Sequence, residues 1–87
     1  MFYFTYVLLS EKDGKLYTGY TRQLQKRLNQ HNAGLNLSPK GRGPFTLIYF
    51  EACTSKASAS KREKQLKSGY GKRYLKNRLD AFYFKRG

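Results

Sequence analysis

Apolar residues fill both registers of the first segment. Over residues 2–9, Phe2, Phe4, Tyr6 and Leu8 fall on one face of an extended chain, and Tyr3, Thr5, Val7 and Leu9 on the other. A strand that is apolar on both faces belongs at the centre of a sheet. Asp13-Gly14 closes the polar stretch that follows and signals a hairpin turn. Leu16 to Tyr20 reads as the returning strand. The period then lengthens. Thr21 is the expected N-cap of a helix over about Arg22 to Asn32, with Leu24 and Leu28 on its apolar side and Gly34 as its stop. Residues 34–44 are rich in Gly and Pro and read as a loop that carries Lys40 and Arg42. Thr46 to Glu51 is the third expected strand. Thr54 or Ser55 caps a second helix that ends near Ser68-Gly69. A third helix, roughly Lys72 to Phe82, places Leu75, Leu79 and Phe82 on one stripe. The order β-β-α-β-α-α, without repeats or a low-complexity linker, makes an α+β fold. It predicts a small antiparallel or mixed three-stranded sheet with helices packed on it.

Length changes that picture little. Eighty-seven residues, 1–87, make a single domain with a thin core. No apolar run approaches the roughly 18 residues of a membrane span. The opening segment has neither a basic leader region nor a small-residue cleavage site, so it reads as a strand and the cytoplasm is the expected location. One cysteine, Cys53, excludes an internal disulfide and offers no metal-ligand spacing.

Charge changes it more. The formal net charge is +13, too large to serve solubility alone, and it calls for a polyanionic partner. Nucleic acid is the first candidate and an anionic membrane surface the second. The cations are spread over several elements rather than along one amphipathic helix, which disfavours the membrane. Residues 54–87 hold eleven Lys and Arg against two acids, a net of +9, while residues 1–53 hold seven against three, a net of +4. The C-terminal half is therefore the larger electrostatic footprint.

Candidate chemistry sits on the inner faces of the helices. At 100° per residue, with Leu24 as zero, Leu28 lies at about +40°, His31 at about −20° and Arg27 at about −60°. His31 is thus inside the apolar stripe and Arg27 on its edge. A packing account is a half-buried imidazole bonded to a backbone carbonyl and an Arg stem laid over the core; the functional account is a pair of groups aimed at a ligand. On the second helix, with Ala59 as zero, Glu63 lies at about +40° and Leu66 at about −20°. A carboxylate facing inward needs a cation. Arg27 would supply it structurally; a divalent metal would supply it functionally, since Mg²⁺ takes one or two carboxylates together with waters and phosphate oxygens. Tyr6 and Tyr17 lie on neighbouring strands, opposed or diagonal. Such a pair usually means packing, but a phenol beside a cation can position or deprotonate a water. Phosphodiester hydrolysis needs an oriented water, a cation on the non-bridging oxygens and help for the leaving oxygen. Tyr6, Tyr17, Arg27, His31 and Glu63 could supply these parts.

These residues carry a resemblance. Phe4-Thr5-Tyr6 stands at the GIY position and Tyr17-Thr18-Gly19 at the YIG position of a GIY-YIG nuclease domain. The run from Tyr20 to Gly34 is similar to that family's following helix. Arg42-Gly43-Pro44 before Leu47-Ile48-Tyr49, then Ala59 to Lys67, is similar to its compact single-domain branch, the excinuclease-subunit-C-like endonucleases. The resemblance covers nearly the whole chain. It implies a three-stranded antiparallel sheet flanked by helices, and a divalent-metal-dependent endonuclease acting on DNA (duplex, flap or branched). The activity would be structure-guided or weakly sequence-specific, in a repair or recombination setting. By it, Tyr6 and Tyr17 would be the paired active-site tyrosines, Arg27 would stabilise the scissile phosphate and His31 would assist proton transfer. Glu63 would be the ligand of a single Mg²⁺ or Mn²⁺. Lys40, Arg42, Lys72 and Arg73 would be backbone contacts. Phe4 and Thr5 depart from the Gly and Ile of the first motif, and Tyr20 stands where some members have Lys. Asn77 is the nearest match to an Asn that several members carry in the last helix, but it lies about 200° from Leu75, opposite the apolar stripe. A non-catalytic nucleic-acid-binding module that needs a partner protein is the alternative function. Phe82, Tyr83 and Phe84 would cover the core or make an interface, as monomer or weak homodimer.

Overall fold

The computed structural model describes residues 1–33 and 43–81. Its elements run β1 (Tyr3–Ser10), β2 (Leu16–Thr21), α1 (Leu24–Asn32), β3 (Phe45–Cys53), α2 (Lys56–Lys67) and α3 (Gly69–Arg78). β1 is central in the order β2-β1-β3, and both pairings are antiparallel. The double-sided apolar pattern of β1 is the cause: Thr5 to Ser10 are all buried because helices cover the sheet on both faces. Gly14 turns the hairpin with a φ of +73°, a region that favours glycine.

Each face has its own core. On one, Tyr6, Leu8 and Phe45 pack with Tyr17, Leu24, Leu28 and Leu47, which seats α1. On the other, Val7 packs with Leu66 and Leu75 and with Leu16, Ile48, Tyr49, Tyr74 and Leu79, which seats α2 and α3. The β1–β3 register slips between Val7, opposite Tyr49, and Leu8, opposite Leu47, leaving Ile48 as a bulged residue. The bulge lets the consecutive Ile48 and Tyr49 serve the same core. Asn32, at the end of α1, accepts from Phe45 N–H at 2.6 Å and donates to its carbonyl at 3.2 Å, which fixes the start of β3. Thr5 donates its hydroxyl to the Ala59 carbonyl at 3.1 Å and ties α2 to the central strand.

Two helix starts differ from expectation. Thr21 is not the cap of α1: it ends β2, and its hydroxyl accepts from Gln23 N–H at 3.1 Å, delaying the helix to Leu24. The third helix starts at Gly69 rather than Lys72, because the Ser68 hydroxyl accepts from Gly71 N–H and restarts the chain directly after α2. Gly34, Lys40, Arg42 and the Phe82–Phe84 aromatics lie outside the described residues. Among the described residues no helix is long and apolar enough to cross a membrane.

Candidate active site

The site is built outward from Gly19. Tyr6 of β1 is paired with Gly19 of β2, and the hydroxyl end of its ring lies over that glycine. A Cβ at Gly19 would fall 2.7 Å from the ring Cζ, with the hydroxyl oxygen nearer still. Glycine is needed here for space, because only Gly14 among the described glycines has a positive φ. The absent side chain lets the phenol reach over the edge strand while Tyr6 itself stays 4% exposed.

His31 meets the phenol from α1. Its Nε2 is 3.3 Å from the Tyr6 hydroxyl, and the rings stand edge to face at 6.1 Å. Phe45 closes the other side of the imidazole at 5.6 Å. Nδ1 is buried without a hydrogen-bond partner among the described residues. Burial pushes the His31 pKa down, and the Arg27 guanidinium one turn earlier pushes it the same way. Burial raises the Tyr6 pKa; Arg27 and Lys67 pull it down, and Glu63 raises it further. The phenol therefore sits within the fields of both Arg27 on α1 and Glu63 on α2.

Glu63 does not pair with Arg27. Its carboxylate is ion-paired with Lys67 at 2.9 Å, and its side chain is 17% exposed against 55% for Lys67. The i,i+4 partner lies on the same helix face, so it is held with little loss of chain freedom. Arg27, by contrast, has no carboxylate partner among the described residues.

Tyr17 takes up the diagonal position, opposite Leu8 and two residues from Gly19 along β2. Its hydroxyl donates to the Asp13 carboxylate at 3.2 Å, and its ring stands edge-on to Phe45 at 5.7 Å. The structure thus gathers Tyr6, His31 and Arg27 directly, brings Glu63 into electrostatic reach, and turns the Tyr17 hydroxyl toward the hairpin.

All five line one open cleft of about 1290 Å³ that wraps the free edge of β2. It draws Tyr17 and Gly19 from one face of that strand and Leu16, Thr18 and Tyr20 from the other. Glu63 is its only acidic lining residue among those described, while Arg22, Lys26, Lys56, Lys67 and Lys72 make it strongly cationic. Lys72 lies in the lining; Arg73 and Asn77 are exposed on α3 outside it. No group of three or more His, Cys, Asp or Glu gathers among the described residues, so Glu63 is the residue of the cleft that could hold a cation. Three participants escape a sequence reading. Asp13 reads as a turn residue, although its four-residue distance from Tyr17 across a hairpin end was a usable signal. Lys67 is one of several cations around Glu63, and the space that Gly19 leaves shows only once the strands are in register.

The model of the GIY-YIG catalytic domain matches residues 2–79. A UPF0213 protein of Clostridium perfringens is 44% identical over 61 residues, which are 69% of this chain and 66% of that protein. One of Staphylococcus saprophyticus is 41% identical over 66 residues, 75% of this chain and 80% of its own. The solution NMR structure of a UPF0213 protein from Bacillus halodurans covers 86% of this chain and 82% of its own at 37% identity, with a TM-score of 0.52. The chain belongs to the GIY-YIG catalytic domain family, a family of nuclease domains.

Proposed function

We propose that the protein is a divalent-metal-dependent endonuclease that hydrolyses DNA phosphodiester bonds, guided by substrate structure or only weakly by sequence. The observation that carries this reading is the Tyr6–His31 contact over Gly19, flanked by Arg27 and within electrostatic reach of Glu63 in a cationic cleft.

Each group has a chemical part. Arg27, without a carboxylate of its own among the described residues, is free to donate to the non-bridging oxygens of a scissile phosphate. The Tyr6 phenol, its pKa raised, keeps its proton at neutral pH. The imidazole is best protonated on Nε2, because a bare buried Nδ1 costs less than a buried N–H with no acceptor among the described residues. Nε2–H then donates to the Tyr6 oxygen and leaves the phenol's own proton to point at a phosphate or leaving oxygen. Tyr17, its proton directed to Asp13, keeps an electron-rich oxygen to accept from an attacking water. Glu63 fits a Mg²⁺ or Mn²⁺ site: it is a mostly buried carboxylate that already holds a cation, the half-exposed Lys67 ammonium, which has room to leave. A metal bound there would supply Lewis-acid polarisation of a phosphate oxygen. Lys72, on the cleft wall, and the more remote Arg73 would contact the DNA backbone, along with Lys40 and Arg42.

The test is nicking of supercoiled plasmid and of flap and branched DNAs, the intermediates of repair and recombination. Each is run with Mg²⁺, Mn²⁺ or EDTA, for wild type, Glu63→Gln and Arg27→Ala. Metal-dependent cleavage by wild type that falls by about 10²–10³-fold in either variant supports the reading. The second reading, a non-catalytic binding module that needs a partner protein, draws on the resting Glu63–Lys67 pair. It gains if wild type binds DNA in a salt-sensitive way and cuts none of the panel. Cleavage that survives both substitutions would refute the assigned site.

A further inference from the structure

Asp13 gives its two carboxylate oxygens two different tasks. Oδ1 accepts the Lys15 N–H at 2.9 Å, across the turn that Gly14 completes with its positive φ. Oδ2 accepts the Tyr17 hydroxyl at 3.2 Å. The turn is also fixed from inside: the buried Ser10 hydroxyl accepts from the N–H groups of Lys12 and Asp13, and Gly14 N–H donates to the Ser10 carbonyl at 2.9 Å. The Tyr17 ring is held by Phe45 and packs on the core that contains Tyr6 and Leu8. Both ends of the Tyr17–Asp13 bond are therefore seated. The turn accounts for the first contact only. It needs one side-chain oxygen, and Asn-Gly serves a hairpin as well as Asp-Gly does. The second oxygen and the negative charge serve Tyr17. An ionised carboxylate only accepts, so it sets the direction of the bond: Tyr17 donates to Asp13 and keeps its lone pairs for another donor. Tyr17 lines the cleft, on the same sheet face as Tyr6, whereas Asp13 does not line it.

We propose that Asp13 is a positioning residue of the nuclease site, which holds the Tyr17 oxygen as the acceptor for the attacking water and receives the Tyr17 proton as that water is deprotonated. The proposal deepens the nuclease reading and rests on it. A neutral phenol with nowhere to send its own proton is a poor base; a carboxylate behind it lets one proton leave as another arrives, so that no phenolate need form. The step balances. The Tyr17 oxygen takes a proton from the water while Asp13 Oδ2 takes the Tyr17 proton. The water oxygen bonds to phosphorus, and the bond from phosphorus to the leaving oxygen breaks. The leaving oxygen carries off the electron pair and is protonated from solvent, and the half-buried Asp13 returns its proton to solvent. The isosteric change Asp13→Asn tests the direction of the bond and spares the turn. Lys15 N–H is a donor and claims the amide oxygen, which leaves the amide nitrogen facing Tyr17. The bond then reverses: Tyr17 accepts from the amide, its own proton swings away, and the relay has no terminus.

The experiment compares wild type, Asp13→Asn, Tyr17→Phe and the double variant in three readouts. Urea unfolding should give Asp13→Asn nearly the wild-type midpoint. In NMR spectra of protein carrying tyrosine isotopically labelled at Cζ, the chain's eight tyrosines give separate signals, and the one missing from Tyr17→Phe belongs to Tyr17. That signal should move upfield in Asp13→Asn, away from the phenolate position, as the hydroxyl stops donating to a carboxylate. Single-turnover nicking of supercoiled plasmid with Mg²⁺ or Mn²⁺ should fall by about 10²-fold in Asp13→Asn, the scale of one lost proton transfer, while DNA binding in EDTA is no weaker than that of wild type. In the Tyr17→Phe background Asp13→Asn should add no further loss, because Asp13 acts only through that hydroxyl. An unmoved Tyr17 signal, a wild-type nicking rate in Asp13→Asn or losses that multiply in the double variant overturn the proposal. So does an Asp13→Asn midpoint well below that of wild type, which makes the carboxylate a requirement of the turn. A wild type that cuts nothing removes the nuclease reading and the relay together, whereas an active wild type matched by Asp13→Asn removes the relay alone.

Discussion

Alanine at Gly19 places a methyl group where the Tyr6 phenol lies. The new Cβ would stand 2.7 Å from Cζ and 3.2 Å from Cε2, against an ordinary carbon contact of about 3.5–4.0 Å, so the ring must move by roughly 1 Å. The tip of a loose side chain would give way easily. Tyr6 is not loose: it is 4% exposed and its hydroxyl is 3.3 Å from His31. Displacement of that size carries the pair beyond hydrogen-bonding distance, a net loss of about 1 kcal/mol. Forced repacking around the ring adds about 1–3 kcal/mol. Alanine returns about 0.4–1 kcal/mol by restricting the unfolded chain, and Gly19 has no positive φ to add a backbone penalty. The net is a destabilisation of roughly 1–3 kcal/mol, read by urea unfolding, or a Tm lower by about 5–20 °C. Nicking, measured well below that Tm, should fall by about 10²-fold, the scale of a 1 Å misplacement. The decisive comparison is a double-mutant cycle with Tyr6→Leu, which removes the obstacle. In that background Gly19→Ala should cost nothing or stabilise slightly, giving a coupling above about 1 kcal/mol. A Gly19→Ala cost under about 0.5 kcal/mol, or one that Tyr6→Leu leaves unchanged, would refute the account of the site as built on this glycine.

Four other substitutions separate the roles of the remaining groups. Because burial and Arg27 push the His31 pKa down, the unfolded chain takes up a proton near pH 6.5 that the folded chain refuses; wild-type stability should fall as pH drops below about 6.5, and His31→Gln should flatten that part of a urea-unfolding pH series. Arg62 pairs with Glu51 at 2.7 Å and lies 4.7 Å over the Tyr74 ring, outside the cleft. Arg62→Met should cost about 1–2 kcal/mol in urea unfolding without changing nicking at temperatures where it is folded. Lys67→Met removes the cation that competes for Glu63, so Mn²⁺ affinity measured by electron paramagnetic resonance should rise by up to about fivefold, the scale of one exposed ion pair, whereas Glu63→Gln should abolish it.

What the sequence makes legible are the features set by period and by local turn chemistry. Two apolar faces on residues 2–9 require covering on both sides, which puts β1 in the centre. Helical spacing turns His31, Arg27 and Glu63 inward before any coordinate is known. What it hides are contacts that depend on register or on competition between neighbours. Strict alternation over Thr46–Glu51 sends Ile48 and Tyr49 to opposite faces; the bulge that unites them follows from how β3 meets β1. The sequence offers both Arg27 and Lys67 as cations for a carboxylate facing inward, and the periodicity of α2 cannot choose between them. The local i,i+4 geometry chooses Lys67. Thr21 looks like a cap, yet its hydroxyl serves Gln23 N–H because pairing with Phe4 keeps Thr21 in the strand. In each case the residue types were visible and the competitor that won lay elsewhere in the fold.

The candidate site is made of core residues, and this follows from size. These 87 residues bury too little surface to keep a separate core behind the cleft. Tyr6 and His31 accordingly do two jobs, packing with Leu8 and Phe45 on one side and facing the cleft on the other. Leu66 and Leu75 likewise seat α2 and α3 while lining the same cleft. Large truncations therefore cannot separate chemistry from folding: Tyr6→Ala or His31→Ala removes a core wall as well as a polar group, and inactivity would be ambiguous. Shape-preserving changes keep the two apart. Tyr6→Phe leaves the ring over Gly19 and takes away only the oxygen that meets His31. The orphaned imidazole N–H should cost about 1–3 kcal/mol, which urea unfolding reads directly. If the phenol acts only as packing, Tyr6→Phe nicks at the wild-type rate once compared at equal fractions folded. If it donates to the reacting phosphate, the rate falls by about 10²-fold with the protein fully folded.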